Sequence, residues 1–187
     1  GFPRLLSSRV EARSIAALAG SGQSDMNIDF DASRENVMEK NLENYRILHF
    51  ATHGLLDTGR PEFSGLVLSL FDREGKPRDG YLRLSQIYDL NLNSELVVLS
   101  ACQTALGKDV RGEGIIGLTR GFMYAGTKRV VASLWKVDDA AAADFMKRFY
   151  RQMLQKKLPP SAALRAAQLE MKQLPRYRSP YFWAGFM

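Results

Sequence analysis

A single cysteine, Cys102, and only two histidines, His49 and His53, occur in 187 residues. One cysteine excludes an internal disulfide framework and a cysteine-rich zinc site. With two histidines beside it, a catalytic metal would need carboxylates for most of its ligands, so neither a metal nor another cofactor is expected. No apolar run approaches the roughly 18 residues of a membrane span and no signal-peptide pattern opens the chain, which points to a cytoplasmic protein with no membrane partner. There is no low-complexity tract and no repeat at a solenoid period. What is present is ordinary globular composition, 45% hydrophobic and 25% charged, at a length that fits one domain.

The net charge is +6, from 26 basic and 20 acidic residues, and the excess is concentrated between Lys147 and Arg178. These cations are interleaved with core residues on helical segments, and no recognised binding motif accompanies them. They read as a solvated helix face, and no direct nucleic-acid partner is expected. The chain starts Gly1-Phe2-Pro3 and closes at Met187 inside an aromatic run; the expectation is one domain over residues 1–187, a fragment of something longer.

Two short apolar runs organise the rest. Val97, Val98, Leu99 and Ala101 read as a strand buried on both faces that stops at Cys102, and Arg46 to Thr52 reads as a second, followed by His53 and Gly54. Around them, Ser8 and Glu11 have capping-box spacing for a first helix ending at Gly20, and Ser33 caps a second helix. Gly54 to Ser64 reads as a loop, Gly65 to Phe71 as a strand, Tyr81 and Leu82 as a short edge strand, and Leu84 to Leu90 as a short helix. Beyond a loop with Gly107 and Gly112, a helix is expected from Gly114 to Ala125 with Gly126 as terminator, then a strand from Arg129 to Leu134. Asp138 or Asp139 can cap a long helix that Pro159 and Pro160 end, Ser161 caps the last helix, and Pro180 precedes a final aromatic strand. Strands alternating with helices imply an α/β layered domain with a mainly parallel sheet, whose sites lie at the carboxyl ends of the strands.

That rule brings His53 and Cys102 to one rim if their strands are parallel neighbours. A free thiol with a pKa of about 8.5 is mostly protonated at neutral pH, and an imidazole near 6.5 suits the task of taking its proton. The pair makes a nucleophile for acyl transfer, with the backbone N–H groups of Cys102 and Gly54 as candidate oxyanion donors. His49 lies inside its strand and reads as structural. Gly112, Gly114 and Gly117 match a dinucleotide fingerprint by spacing, but no strand ends at Gly112, so the context fails it.

Four ordered stretches, HFATHG at 49–54, LSACQTALG at 99–107, GEGIIGLTRGFMYAG at 112–126 and VVASLWKVDD at 130–139, resemble the CHAT domain, a caspase-like family related to the separase protease domain. The resemblance implies a caspase-haemoglobinase-like three-layer sandwich. It implies a cysteine endopeptidase with His53 and Cys102 as the catalytic pair, acting on a protein or peptide substrate. It also implies an attached activating sensor module or partner such as tetratricopeptide repeats. SACQT stands where caspases have QACRG, so aspartate specificity is not implied. By similarity to separases, Asp139, with Asp138 beside it, is a candidate receptor for a basic P1 side chain; both are equally candidates for helix caps. The stretch from Cys102 to Arg129 leaves no room for a long excisable linker, which favours activation by a partner over internal cleavage. The rival expectation is a non-catalytic interaction or assembly module on the same fold.

Overall fold

The computed structural model describes residues 2, 4–57, 60–100, 102–106 and 113–187, with side chains at all of these but 61, 102–106, 113 and 114. In chain order the elements are α1 (Ser8–Ala19), α2 (Arg34–Glu39), β1 (Ile47–Phe50), β2 (His53–Asp57), β3 (Gly65–Val67), β4 (Tyr81–Arg83), α3 (Leu84–Tyr88), β5 (Leu96–Leu99), β6 (Cys102–Leu106), α4 (Glu113–Tyr124), β7 (Val130–Ala132), α5 (Asp139–Tyr150) and α6 (Pro160–Gln173), with short 3-10 turns between. They fall into two compact units, a central one over Asn27–Lys136 and a terminal one made of Gly1–Met26 and Val137–Met187. The expected α/β character holds.

The central unit contains two sheets. Sheet A is parallel throughout in the order β1-β5-β7; sheet B runs β4-β3-β2-β6, with β2 and β6 parallel and the β2–β3 and β3–β4 pairs antiparallel. Leu96, Val97, Val98 and Leu99 are all essentially inaccessible, so β5 is buried on both faces, as its unbroken apolar run requires. Leu48, Val97 and Leu99 pack with Leu84, Ile87, Leu118 and Phe122 of α3 and α4 in one core, and Phe50 stacks obliquely on Phe122 at 5.5 Å. Glycine permits the close approach of those helices: a Cβ at Gly121 would meet Leu84 Cδ1 at 2.7 Å and Ile87 Cγ2 at 3.3 Å. On the β4 side, Asp79 accepts from Arg83 at 2.9 Å and from the Tyr81 N–H at 3.1 Å. The Arg83 hydrogen bond, above all, holds the Asp79 carboxyl below its ordinary range.

The terminal unit is helical. Phe145, Met146 and Phe149 of α5 and Ala163, Ala167 and Met171 of α6 are fully buried, and Phe145 stacks on Phe186 at 4.3 Å. The Asp139 carboxylate accepts the Ser7 N–H at 2.6 Å, tying the start of α1 to the start of α5. Tyr150 is buried beside Glu11, and loss of hydration first, then that carboxylate, pushes its phenol well above its ordinary value. The whole net charge of the chain resides here: the terminal unit holds twelve basic and six acidic residues, the central unit fourteen of each. Glu170 is bonded by Arg148, Arg151 and Gln152, and Asp144 by Arg176. Among the described residues no helix is long and apolar enough to cross a membrane.

Several local expectations are corrected. Gly54 to Ser64 is not all loop, because His53–Asp57 is strand β2. β3 ends at Val67 rather than Phe71, and β7 at Ala132, where the Ser133 hydroxyl turns back to donate to the Trp135 carbonyl at 2.7 Å. Ser8 lies inside α1 and donates to the Leu5 carbonyl instead of capping. The long helix leaves α geometry at Tyr150 for one π turn over Arg151–Gln155, well before the prolines. Its successor begins at Pro160, with Ser161 inside it, since proline's fixed φ suits a first helical turn. The expected final aromatic strand is a 3-10 turn at Pro180–Phe182. The loop expected at 107–112, with Gly107 and Gly112, lies outside the described residues.

Candidate functional site

The candidate pair opens two strands that follow, along the chain, two neighbours in sheet A. β1 ends at Phe50 and β5 at Leu99; after a break the chains resume as β2 at His53 and β6 at Cys102, now in sheet B. The pairing register survives the break. Ile47 lies opposite Leu96 and Phe50 opposite Leu99 before it, and His53 lies opposite Cys102 and Asp57 opposite Leu106 beyond it, with one offset of 49 residues throughout. His53 and Cys102 are thus direct partners on neighbouring parallel strands, their backbones one strand spacing of about 4.8 Å apart. They do lie just past the carboxyl ends of the sheet A strands, as expected, but they open the sheet B strands rather than entering loops.

Three features hold His53 there. β2 lies between β6 and β3, so His53 faces Cys102 on one side and Val67 on the other. The Thr52 hydroxyl, in the break itself, donates to the Val67 carbonyl. At the far end of the hairpin the Asp57 N–H donates to Ser64 Oγ at 3.0 Å, and Ser64 is buried. His53 is only 8% exposed. Gly54 is flanked in register by Leu66 and Gln103, which sets its N–H within the sheet. His49 is half-buried on β1 opposite Val98, a strand position that agrees with a structural role.

Asp138 and Asp139 belong to the terminal unit. Asp138 is the N-cap of α5, its carboxylate accepting the Ala141 N–H at 3.0 Å, so the capping reading holds for it. Asp139, the first residue of α5, is held by Ser7 as described above.

A family profile described as the CHAT domain matches residues 1–187, the full chain. The chain belongs to the CHAT domain family. The CHAT domain is a caspase-like family, and the mixed α/β architecture with its parallel three-stranded sheet is consistent with that. Two relatives are tetratricopeptide repeat protein 28 of mouse, 38% identical over 109 residues, and its human counterpart, 40% identical over 106 residues. The aligned stretches cover 58% and 57% of this CHAT domain but 4% of each relative's length.

Two hydroxyls that bond across the β2–β3 hairpin are not singled out by the sequence pattern: Thr52 and Ser64. By local pattern Thr52 closes a strand and Ser64 a loop, although a β-branched hydroxyl beside a candidate base at a strand end is a usable signal. Ser100, next after β5 in this CHAT domain, has a buried Oγ with no hydrogen-bond partner among the described residues.

Proposed function

We propose that this CHAT domain is a cysteine endopeptidase in which Cys102 is the nucleophile and His53 the general base, built on a caspase-haemoglobinase-like three-layer sandwich. The observation that carries the reading is the direct register pairing of His53 with Cys102 across two parallel strands. His53 takes the thiol proton, and the thiolate attacks the scissile carbonyl carbon to give a tetrahedral oxyanion. Collapse expels the amine, which leaves with the proton held by the imidazolium. The resulting thioester is attacked by a water that His53 deprotonates, the carboxylic acid departs, and the thiol regains its proton. The chemistry needs no metal or organic cofactor. The N–H groups of Cys102 and Gly54 are the proposed oxyanion donors.

The low exposure of His53 and the position of Gly54 inside the sheet support a regulated enzyme: a substrate carbonyl reaches both only after the strands around the break move. The names of the relatives suggest a tetratricopeptide repeat region as the module that drives that movement, in a cytoplasmic protein. The same burial is what favours the alternative, a non-catalytic assembly module. Cleavage after Arg or Lys is proposed through Asp139, since a carboxylate with one oxygen on the Ser7 N–H still has acceptor capacity for a cation.

The test is hydrolysis of a positional peptide library and a protein mixture by the chain joined to its natural flanking region. Activity abolished by Cys102→Ala and by His53→Ala, with a basic P1 preference lost in Asp139→Asn, supports the proposal. Equal turnover by wild type and Cys102→Ala would sink the enzyme reading, and turnover without a basic preference would remove the role of Asp139.

A further inference from the structure

The break between β1 and β2 leaves the direction of β2, and with it the approach of His53 to Cys102, to be fixed by something other than sheet A. β2 is paired on both sides, with β6 over His53–Asp57 and with β3 over Gly65–Val67, and β3 is the side that places Val67 opposite His53 and is anchored in turn to β4. A three-residue strand is a short guide. Hydroxyls supplement it at both ends: Thr52 donates to the Val67 carbonyl beside His53, and Ser64 receives the Asp57 N–H at the other end. Threonine suits the first place because a β-branched side chain has few χ1 states, so its hydroxyl points where the backbone sends it.

We infer that Thr52 is a positioning residue: by bonding the carbonyl of the residue opposite His53, it holds the imidazole in register with Cys102. The inference rests on the Cys102–His53 pair proposed above. Thr52 touches the residue across from the base, and its loss lets the break swing without unfolding the hairpin. Ser64 makes a comparable hydroxyl bond at the end remote from Cys102 and serves as the matched control. The elements packed on β2 add few other titratable groups: β3 has none, β6 has only Cys102, α4 has Glu113, Arg120 and Tyr124, the 3-10 turn at Pro61–Phe63 has Glu62, and β2 itself has Asp57.

The experiment follows alkylation of Cys102 by iodoacetamide across pH 5 to 10, on the full chain, quantified on the Cys102 peptide by mass spectrometry. A paired thiol reacts on a plateau through neutral pH, whereas an isolated thiol with a pKa of about 8.5 is only about 3% ionised at pH 7, so loss of the base slows labelling there by up to about 30-fold. His53→Ala sets that floor. Thr52→Val, which keeps shape and removes the donor, is expected to fall at least fivefold at pH 7 and to rejoin wild type near pH 10. Thr52→Ser is expected to recover to within twofold, and Ser64→Ala to keep the wild-type profile even if it melts earlier. Thr52→Val with a wild-type profile, Thr52→Ser failing to recover, or Ser64→Ala matching Thr52→Val overturns the positioning role while leaving the pair intact. Identical profiles for wild type and His53→Ala overturn the pair and the inference with it.

Discussion

Replacing Gly65 by alanine tests whether the β2–β3–β4 ribbon is as tight as described. An added Cβ would lie 3.0 Å from Arg83 Cα and 3.0 Å from the Leu82 carbonyl carbon, and closer still to the Leu82 oxygen. These are backbone atoms of β4, paired to β3 in register from Gly65–Arg83 to Val67–Tyr81, so no side chain can rotate away to make room. Overpacking costs roughly 1–3 kcal/mol, and rigid neighbours place this case at the upper end, about 3. Alanine also restricts the unfolded chain, which returns about 0.4–1 kcal/mol, leaving a net loss of about 2 kcal/mol. For a chain of this size that is a fall in Tm of about 4–8 °C. Gly75 supplies the comparison: its φ of +79° is left-handed but nothing lies within 4 Å of an added Cβ. Backbone strain of about 1–2 kcal/mol, less the same unfolded-state gain, makes Gly75→Ala cost between about 0 and 1.6 kcal/mol, below the Gly65 substitution. Thermal unfolding followed by circular dichroism ranks the two, and hydrogen exchange at Leu66 and Leu82 locates the damage. A Gly65→Ala protein that melts within 1 °C of wild type, or above Gly75→Ala, would refute the close approach of β3 to β4.

Truncating Phe145, fully buried and stacked on Phe186, is expected to cost about 3–5 kcal/mol in denaturant unfolding. Alkaline stability is set in part by Tyr150. Because its phenol titrates higher in the folded protein than in the unfolded chain, its contribution is complete below pH 10 and is lost as the pH rises from there; the fall in Tm above pH 10 should be shallower in Tyr150→Phe. Asp79 behaves in the opposite sense. Its depressed pKa gives stability above the usual carboxylate value that disappears as the pH drops through 3.8 and below, and Asp79→Asn should flatten that acid limb slightly, since the pair with Arg83 is solvent-exposed.

Much of this was legible in the residues. The unbroken apolar run at 96–99 announced a doubly buried strand, and Ser33 announced the start of α2, where its hydroxyl accepts the Asn36 N–H at 3.1 Å. The pairing of His53 with Cys102 followed from two strand ends. What was hidden was the second life of both strands: Gly54, Gly59 and Pro61 are turn residues by local chemistry, and only pairing with β3 and β6 makes His53–Asp57 a strand. The aromatic tail failed for the mirrored reason. Tyr181, Phe182 and Trp183 have strand propensity, but Pro180 starts a 3-10 turn that takes the first two, and Trp183 Nε1 bonds the Tyr177 carbonyl at 3.1 Å.

The single offset of 49 residues on both sides of the break has a consequence for how this sequence tolerates insertions and deletions. Chain can be added or removed in the turns between Asp57 and Glu95 without changing the architecture of the ladders, because only the numbering shifts and the same two residues still meet. One residue gained or lost between Ile47 and His53, or between Leu96 and Cys102, is different: it slides one strand past the other by about 3.3 Å beyond that point and gives His53 a new partner. The junctions between β1 and β2 and between β5 and β6 are therefore where length is least negotiable.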